Sequence, residues 1–136
     1  MRRTYDIDGK DFSVAGTASS DFKILLKKLG IPADVIRRVS IAMYEAEINT
    51  VIHGGGGTCE AEIADDRITV TFTDKGPGIP DINAAMQEGF STATDRIREM
   101  GFGAGMGLPN IKKYTDDFQI QTVVGKGTTV TLYINL

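Results

Sequence analysis

Apolar and polar residues change period along the chain, and each change marks an element. Tyr5-Asp-Ile7 and Phe12-Ser-Val14 alternate about the turn formers Asp8-Gly9-Lys10, which predicts a short hairpin over residues 3–15. From about Ala18, Phe22, Leu25, Leu26 and Leu29 recur at helical spacing, until Gly30 and then Pro32 stop the helix. A longer helix is expected from Pro32 or Ala33 to about His53, with Val35, Val39, Ala42 and Ala46 as its apolar stripe. Gly54 to Gly57 end it and read as a flexible connection. Period two returns in Cys59-x-Ala61-x-Ile63 and Ile68-x-Val70-x-Phe72, the pattern of two antiparallel strands joined by a tight turn at Ala64-Asp65-Asp66-Arg67. Residues 75–107 lose periodicity apart from a helical stretch near Asp81 to Gln87, and long irregular segments in compact domains are usually functional. A helix from about Leu108 to Thr115 follows. Phe118-x-Ile120-x-Thr122-x-Val124 and Val130-x-Leu132-x-Ile134, joined by Gly125-Lys126-Gly127, then form a closing hairpin.

This order predicts an α+β fold, a two-layer sandwich in which helices cover one face of a mostly antiparallel sheet. At 136 residues, with 41% hydrophobic and 24% charged, residues 1–136 are expected to form a single domain. Met1-Arg2-Arg3 runs at once into Tyr5, Asp6 and Asp8, so no signal peptide or membrane span is expected at the start, and the expected location is cytoplasmic. Cys59 is the one cysteine, which excludes an internal disulfide or a multi-thiolate zinc site and reads as an inert strand thiol. The net charge of −3 argues against nucleic acid or anionic membrane as partner and leaves proteins and small ligands. Lys27-Lys28, Arg37-Arg38 and Lys112-Lys113 fall in helical patterns, where they read as solvated faces.

Three clusters carry possible chemistry. Glu45, Asn49 and His53 are spaced by four on the long helix and share one slowly rotating face. A carboxylate one turn from a carboxamide suits magnesium chemistry, the amide as hard neutral ligand and the carboxylate as water-orienting group or base. Taken alone, the same spacing describes a solvated polar face. Asp74-Lys75-Gly76-Pro77-Gly78 stands where a strand ends. Its carboxylate can accept from an exocyclic amino group such as that of adenine, with glycine allowing a flat ring to approach, although Asp, Gly and Pro also make plain turns. Gly101-Phe-Gly103-Ala-Gly105-Met-Gly107-Leu108 sets four alternate glycines before a helix with Pro109 in its first turn, a segment able to bind phosphates through backbone N–H groups.

Other nucleotide and ester chemistries do not fit. Ile120 stands where a Walker A glycine would precede Gly125-Lys126 by five residues. The glycines alternate instead of following G-x-G-x-x-G, and Arg98-Glu99-Met100 before them is no buried strand. His53-Gly54-Gly55-Gly56 mimics an esterase oxyanion motif, but the chain has no G-x-S-x-G turn.

Taken in order, Glu45-x-x-x-Asn49 on a helix, Asp74-x-Gly76-x-Gly78 after a strand and the glycine ladder before a helix resemble the GHKL superfamily of ATPases. The resemblance runs from about residue 18 to the end and includes Gly125-Lys126-Gly127-Thr128. It implies ATP and Mg²⁺ as ligands. Asn49 would hold the metal, Glu45 would be the general base, and Asp74 would receive the adenine amino group, with Gly76, Gly78 and Thr128 beside it. His53 and Leu108 would border the nucleotide, and Gly101, Gly103, Gly105 and Gly107 would cradle its phosphates. The segment from about Ile79 to Ala104 then resembles a mobile ATP lid, with Phe90-Ser91-Thr92 central to it.

Glu45 to Gly54 and Gly107 to Asp116 further resemble the small bacterial serine kinases that regulate sigma factors or stress-signalling scaffolds by partner switching. That resemblance implies a serine/threonine kinase whose acceptor is a small STAS-type antagonist, with a sigma factor or a downstream phosphatase as further partners and a homodimer as a possible assembly. An ATP-gated binding module without phosphoryl transfer, and a catalytic fragment acting in trans, stand as alternatives. A histidine kinase would need a phosphoacceptor histidine on a preceding helix, whereas His53 lies in the nucleotide helix itself.

Overall fold

The computed structural model describes residues 1–79 and 107–136. Strand β1 (Arg2–Asp8) leads through a short 3-10 turn (Phe12–Val14) to helices α1 (Thr17–Lys28) and α2 (Ala33–Ile52). Strands β2 (Gly56–Ile63) and β3 (Arg67–Asp74) follow, then helix α3 (Gly107–Tyr114) and strands β4 (Asp117–Val123) and β5 (Gly127–Asn135). The strands form one antiparallel sheet in the order β1-β2-β3-β5-β4. Alternation sorts its two faces. Cys59, Phe72 and Val130 share one row across the central strands and Ala61, Val70 and Leu132 the next, all buried under Phe22, Leu26, Val39, Met43 and Ile111 of the helices. The helices lie on that face, which is the two-layer α+β sandwich expected. Burial pushes the Cys59 thiol up to about 12, in keeping with an inert core group. Among the described residues no helix is long and apolar enough to cross a membrane.

The N-terminal region departs from expectation. Residues 3–15 do not form a hairpin, because β1 pairs along its length with β2, from Arg2 opposite Glu62 to Asp8 opposite Gly56. Local side-chain bonds turn the chain instead. The Asp8 carboxylate accepts from the N–H groups of Lys10 and Asp11, and Asp11 caps the 3-10 turn by accepting from the Ser13 N–H. The glycine run is not a slack tether either. Gly56 and Gly57 open β2, and a Cβ on Gly57 would lie 2.0 Å from the Thr73 carbonyl oxygen. The helical stretch predicted near Asp81 to Gln87 lies outside the described residues.

Helix α1 ends in a Schellman motif: Ile31 N–H reaches Leu26 O and Gly30 N–H reaches Lys27 O, with Gly30 at φ +73°. Its start has no side-chain cap of its own, since Gly16 occupies the N-cap. Glu47 of α2 supplies one from across the core. Its Oε2 accepts from the N–H groups of Gly16 (2.9 Å) and Ala18 (3.2 Å), and its Oε1 from Ser19 N–H (2.9 Å) and Ser19 Oγ (2.6 Å). Only 2% of Glu47 is exposed, so a carboxylate that would be costly to bury alone is satisfied by four donors at a positive helix end.

This arrangement makes Glu47 intolerant of even an isosteric change. In Glu47→Gln one oxygen becomes an NH₂ facing existing donors, at a cost of roughly 1–3 kcal/mol. Glu47→Ala orphans all four donors and should cost roughly 3–5 kcal/mol, read as the shift in denaturant-unfolding midpoint. Unchanged midpoints in both variants would refute the bond set.

Candidate functional site

Helix α2 has two working faces. Ala42, Met43, Ala46 and Val51 enter the core, while Glu45 and Asn49, separated by one turn, sit half-buried on another side with His53 at the C-cap. Glu45 Oε1 accepts a long hydrogen bond, 3.4 Å, from Asn110 Nδ2 on α3. Burial holds the Glu45 carboxyl above its ordinary value of 4.5, and the Asn110 bond partly offsets that rise. The helix ends as the N–H groups of His53 and Gly54 both reach the Asn49 carbonyl.

Asp74, the last residue of β3, is where the other elements meet that helix end. Its Oδ1 accepts from Gly76 N–H at 2.9 Å and from Thr128 N–H at 3.2 Å, which ties the strand end, the following loop and the start of β5 to one carboxylate oxygen. Both of these bonds go to Oδ1. Gly54 presses on the same carboxylate: a Cβ there would lie 2.5 Å from Asp74 Cγ and 2.6 Å from Oδ2. Burial lowers the His53 imidazole from its ordinary 6.5, and the nearby Asp74 charge acts in the opposite direction.

The loop after Asp74 is stitched to the β4–β5 turn. Ile79 N–H donates to Thr122 Oγ1 at 2.8 Å, Gly125 N–H to the Pro77 carbonyl at 2.7 Å, and the hydroxyls of Thr122 and the buried Thr128 are 3.0 Å apart. Gly76 and Gly78 owe their lack of a side chain to these contacts. A Cβ on Gly76 would lie 2.8 Å from Gly54 Cα, and one on Gly78, at φ +79°, 2.7 Å from the Val123 carbonyl oxygen. Backbone meets backbone at both positions, so neither glycine needs a ligand to explain it.

Of the remaining candidates, Gly107 is the first residue of α3, and the Leu108 side chain is packed in the core at 7% exposure. Gly101, Gly103 and Gly105, and the segment read as a lid, lie outside the described residues except for Ile79. Asn110, Thr122, Gly54 and Glu47 are site or support residues that the sequence reading did not single out. Among the described residues no group of three or more His, Cys, Asp or Glu could hold a metal. One hard amide oxygen at Asn49, near a carboxylate, fits Mg²⁺ arriving with a nucleotide, since that ion keeps waters and phosphate oxygens as most of its ligands.

A helix that carries an acid and an amide one turn apart, ends against a strand-end aspartate and touches a helix that opens on a glycine agrees with the match of residues 13–134 to the histidine kinase-like ATPase domain. The chain belongs to that family. Such an ATPase domain implies ATP as its ligand. The serine/threonine-protein kinase RsbT of Bacillus subtilis is 34% identical over 108 residues, covering 76% of this chain and 75% of that protein. The anti-sigma F factor of Thermoanaerobacter sp. (strain X514) is 36% identical over 100 residues, covering 70% of this chain and 66% of that protein. In fold the chain resembles the RsbU and RsbW domains of a Mycobacterium tuberculosis protein, with TM-score 0.67 and 19% identity over 98% of this chain and 32% of that one.

Because His53 is the single histidine, its imidazole resonances report the end of α2 beside Asp74 directly. Its folded-state midpoint should fall below 6.5, so the fold loses stability as pH drops below that value, where the unfolded chain takes up the proton more readily. Asp74→Asn removes the opposing charge and should lower the midpoint further; an NMR titration showing a rise would contradict the placement. Gly54→Ala should destabilise the fold by roughly 1–3 kcal/mol, read as a lower denaturant-unfolding midpoint, because its Cβ displaces the Asp74 carboxylate that accepts from Gly76 and Thr128.

Proposed function

We propose that this histidine kinase-like ATPase domain is an ATP-dependent serine/threonine protein kinase that acts in the cytoplasm as a partner-switching regulator. Its acceptor is a serine or threonine of a small STAS-type antagonist protein, in an anti-sigma-factor or stress-signalling circuit. The observation that carries the proposal is Glu45: a half-buried carboxylate, raised in pKa by burial, one turn from Asn49 and beside the first turns of the helix that follows the glycine ladder. A raised carboxyl is a stronger base than an exposed one, which suits it to accept a hydroxyl proton. The names of the relatives, a serine/threonine kinase and anti-sigma factors, support the same reading.

In this mechanism Asp74 Oδ2 receives the adenine amino group, with Thr128 and the loop through Gly76 and Gly78 holding the carboxylate in place. By the family resemblance, Gly101, Gly103, Gly105 and Gly107 would take the phosphates; of these the structure describes Gly107, at the start of α3. Asn49 would hold Mg²⁺, which would supply charge neutralisation when bound. The acceptor oxygen bonds to the γ-phosphorus, the bond from that phosphorus to its bridging oxygen breaks, ADP leaves, and Glu45 takes the hydroxyl proton.

A second reading, an ATP-gated binding module, draws on one surface feature. Val123 and Val124 are 56% and 66% exposed, and Gly78 of the nucleotide loop packs directly on the Val123 carbonyl. An apolar tip in contact with the pocket is suited to report nucleotide state to a bound protein.

Incubation with Mg²⁺, γ-labelled ATP and candidate STAS proteins separates the two, since transfer to a serine or threonine requires the kinase and tight ATP binding without transfer requires the module. Glu45→Gln should cut transfer by roughly 10²–10⁴-fold while leaving ATP affinity within a few-fold. The same variant should be at least as stable as the parent at pH 7. A carboxyl whose folded-state pKa is raised costs stability once pH rises through its unfolded value of 4.5, and glutamine removes that cost.

A further inference from the structure

The amide of Asn110 and the carboxylate of Glu45 come from elements far apart in sequence, and their meeting follows from how α3 lies along α2. Leu108 and the fully buried Ile111 anchor one side of α3 in the core. Asn110 lies between them in sequence, roughly 100° round from Ile111, and so flanks α2 instead of entering the core. The two helices run antiparallel: Asn110 meets Glu45, Tyr114 one turn later lies under the Arg37 guanidinium at 5.6 Å, and Asp116 beyond the helix pairs with Arg38 at 3.0 Å. Contacts at the far end and burial at the near end fix the register, so Asn110 is brought to Glu45 by the packing of the whole pair.

We infer that Asn110 is a positioning residue for Glu45: its amide N–H holds Oε1, leaving Oε2 to take the proton of the acceptor hydroxyl. This inference rests on the kinase reading and deepens it. The choice of side chain is what the chemistry demands. A cation at residue 110 would stabilise the carboxylate and weaken it as a base, and an acid would repel it or share its proton, whereas a neutral donor orients one oxygen with little effect on the charge. At 3.4 Å the bond is near the long limit for N–H···O and adds little to stability, so its contribution is directional. Burial of Glu45 and the opposing effect of Asn110 on its carboxyl agree with that balance. The placement also links the base to the phosphate side of the site, because Asn110 stands three residues after Gly107, the residue that opens α3. Any rotation or axial shift of α3 moves the donor away from Glu45.

The test is a double-mutant cycle on the full chain. Single-turnover transfer from Mg-ATP to a STAS protein that the parent phosphorylates is measured for the parent, Asn110→Ala, Glu45→Gln and the double variant, with ATP affinity measured alongside. Asn110→Ala should slow transfer by about tenfold with ATP affinity within about twofold, the pattern of an interaction used in the transition state. In the Glu45→Gln background the same change should have no further effect beyond about twofold. Asn110→Asp keeps the shape and replaces the donor with an acid; it should be slower than Asn110→Ala, which a purely structural role would not produce. An active parent with a fully active Asn110→Asp, or with multiplying single effects, overturns this inference and leaves the kinase reading standing. A parent that binds ATP but transfers to no acceptor removes the kinase reading, and the role of Asn110 with it.

Discussion

The buried carboxylate of Glu47 is the constraint on which the helical layer depends. Four donors at the start of α1 converge on it, and α1 has no other cap there. A buried ion satisfied in this way adds less to net stability than to uniqueness, because any other rotation of α2 leaves both the charge and the helix end unpaired. On a helix, positions two apart point roughly 200° from each other. Glu47 pointing into the α1 start therefore turns Glu45 and Asn49, two residues to either side, away from it and toward the site. One inward acid sets the direction of the outward pair.

Much of the fold was legible because it rests on local period. Strands β3 and β5 bury alternate residues and β2 does so at its centre, at Cys59 and Ala61, and the two long helices begin and end within a residue of where their spacing and stop signals place them. The N-terminal segment was misread because Asp8, Gly9 and Lys10 are good hairpin residues, yet the pairing of β1 is settled by β2, some fifty residues away in sequence. The run Gly54 to Gly57 looked slack for a similar reason. Neither Gly57 against Thr73 nor Gly54 against Asp74 can be inferred without the third dimension. Glu47 left one faint signal: Gly16 in place of a good N-cap at the start of α1 means a cap has to come from elsewhere.

At the candidate site the residue types were legible and their division of labour was not. Asp74 was read only as a ligand acceptor, but one of its oxygens organises the protein by accepting from Gly76 and Thr128. Gly76 and Gly78 were read as space for a flat ring, and the space is taken by Gly54 and Val123. A D-x-G-x-G motif thus has two demands superimposed on it, backbone crowding and ligand approach, and residue identity alone cannot separate them. Asn110 and Thr122 were missed because a lone Asn on a helix and a Thr in a strand carry no signal until the packing of α3 on α2 and the pairing of Thr122 with Thr128 bring them in.

Placing the proposed base on the same helix as a core carboxylate creates a conflict that the geometry resolves by burial in degrees. Glu47, fully buried, accepts from four donors, whereas Glu45, half-buried, has one long bond and a raised pKa. Full satisfaction would lock Glu45 as an ion and deprive it of basicity; full exposure would return it to an ordinary carboxyl. The intermediate state is unfavourable for the folded chain and useful to a base, which is the common form of the trade between stability and activity. The two glutamates on α2 are the same chemical group held at opposite ends of that trade, and the number of donors each receives separates the one that holds the fold from the one proposed as the base.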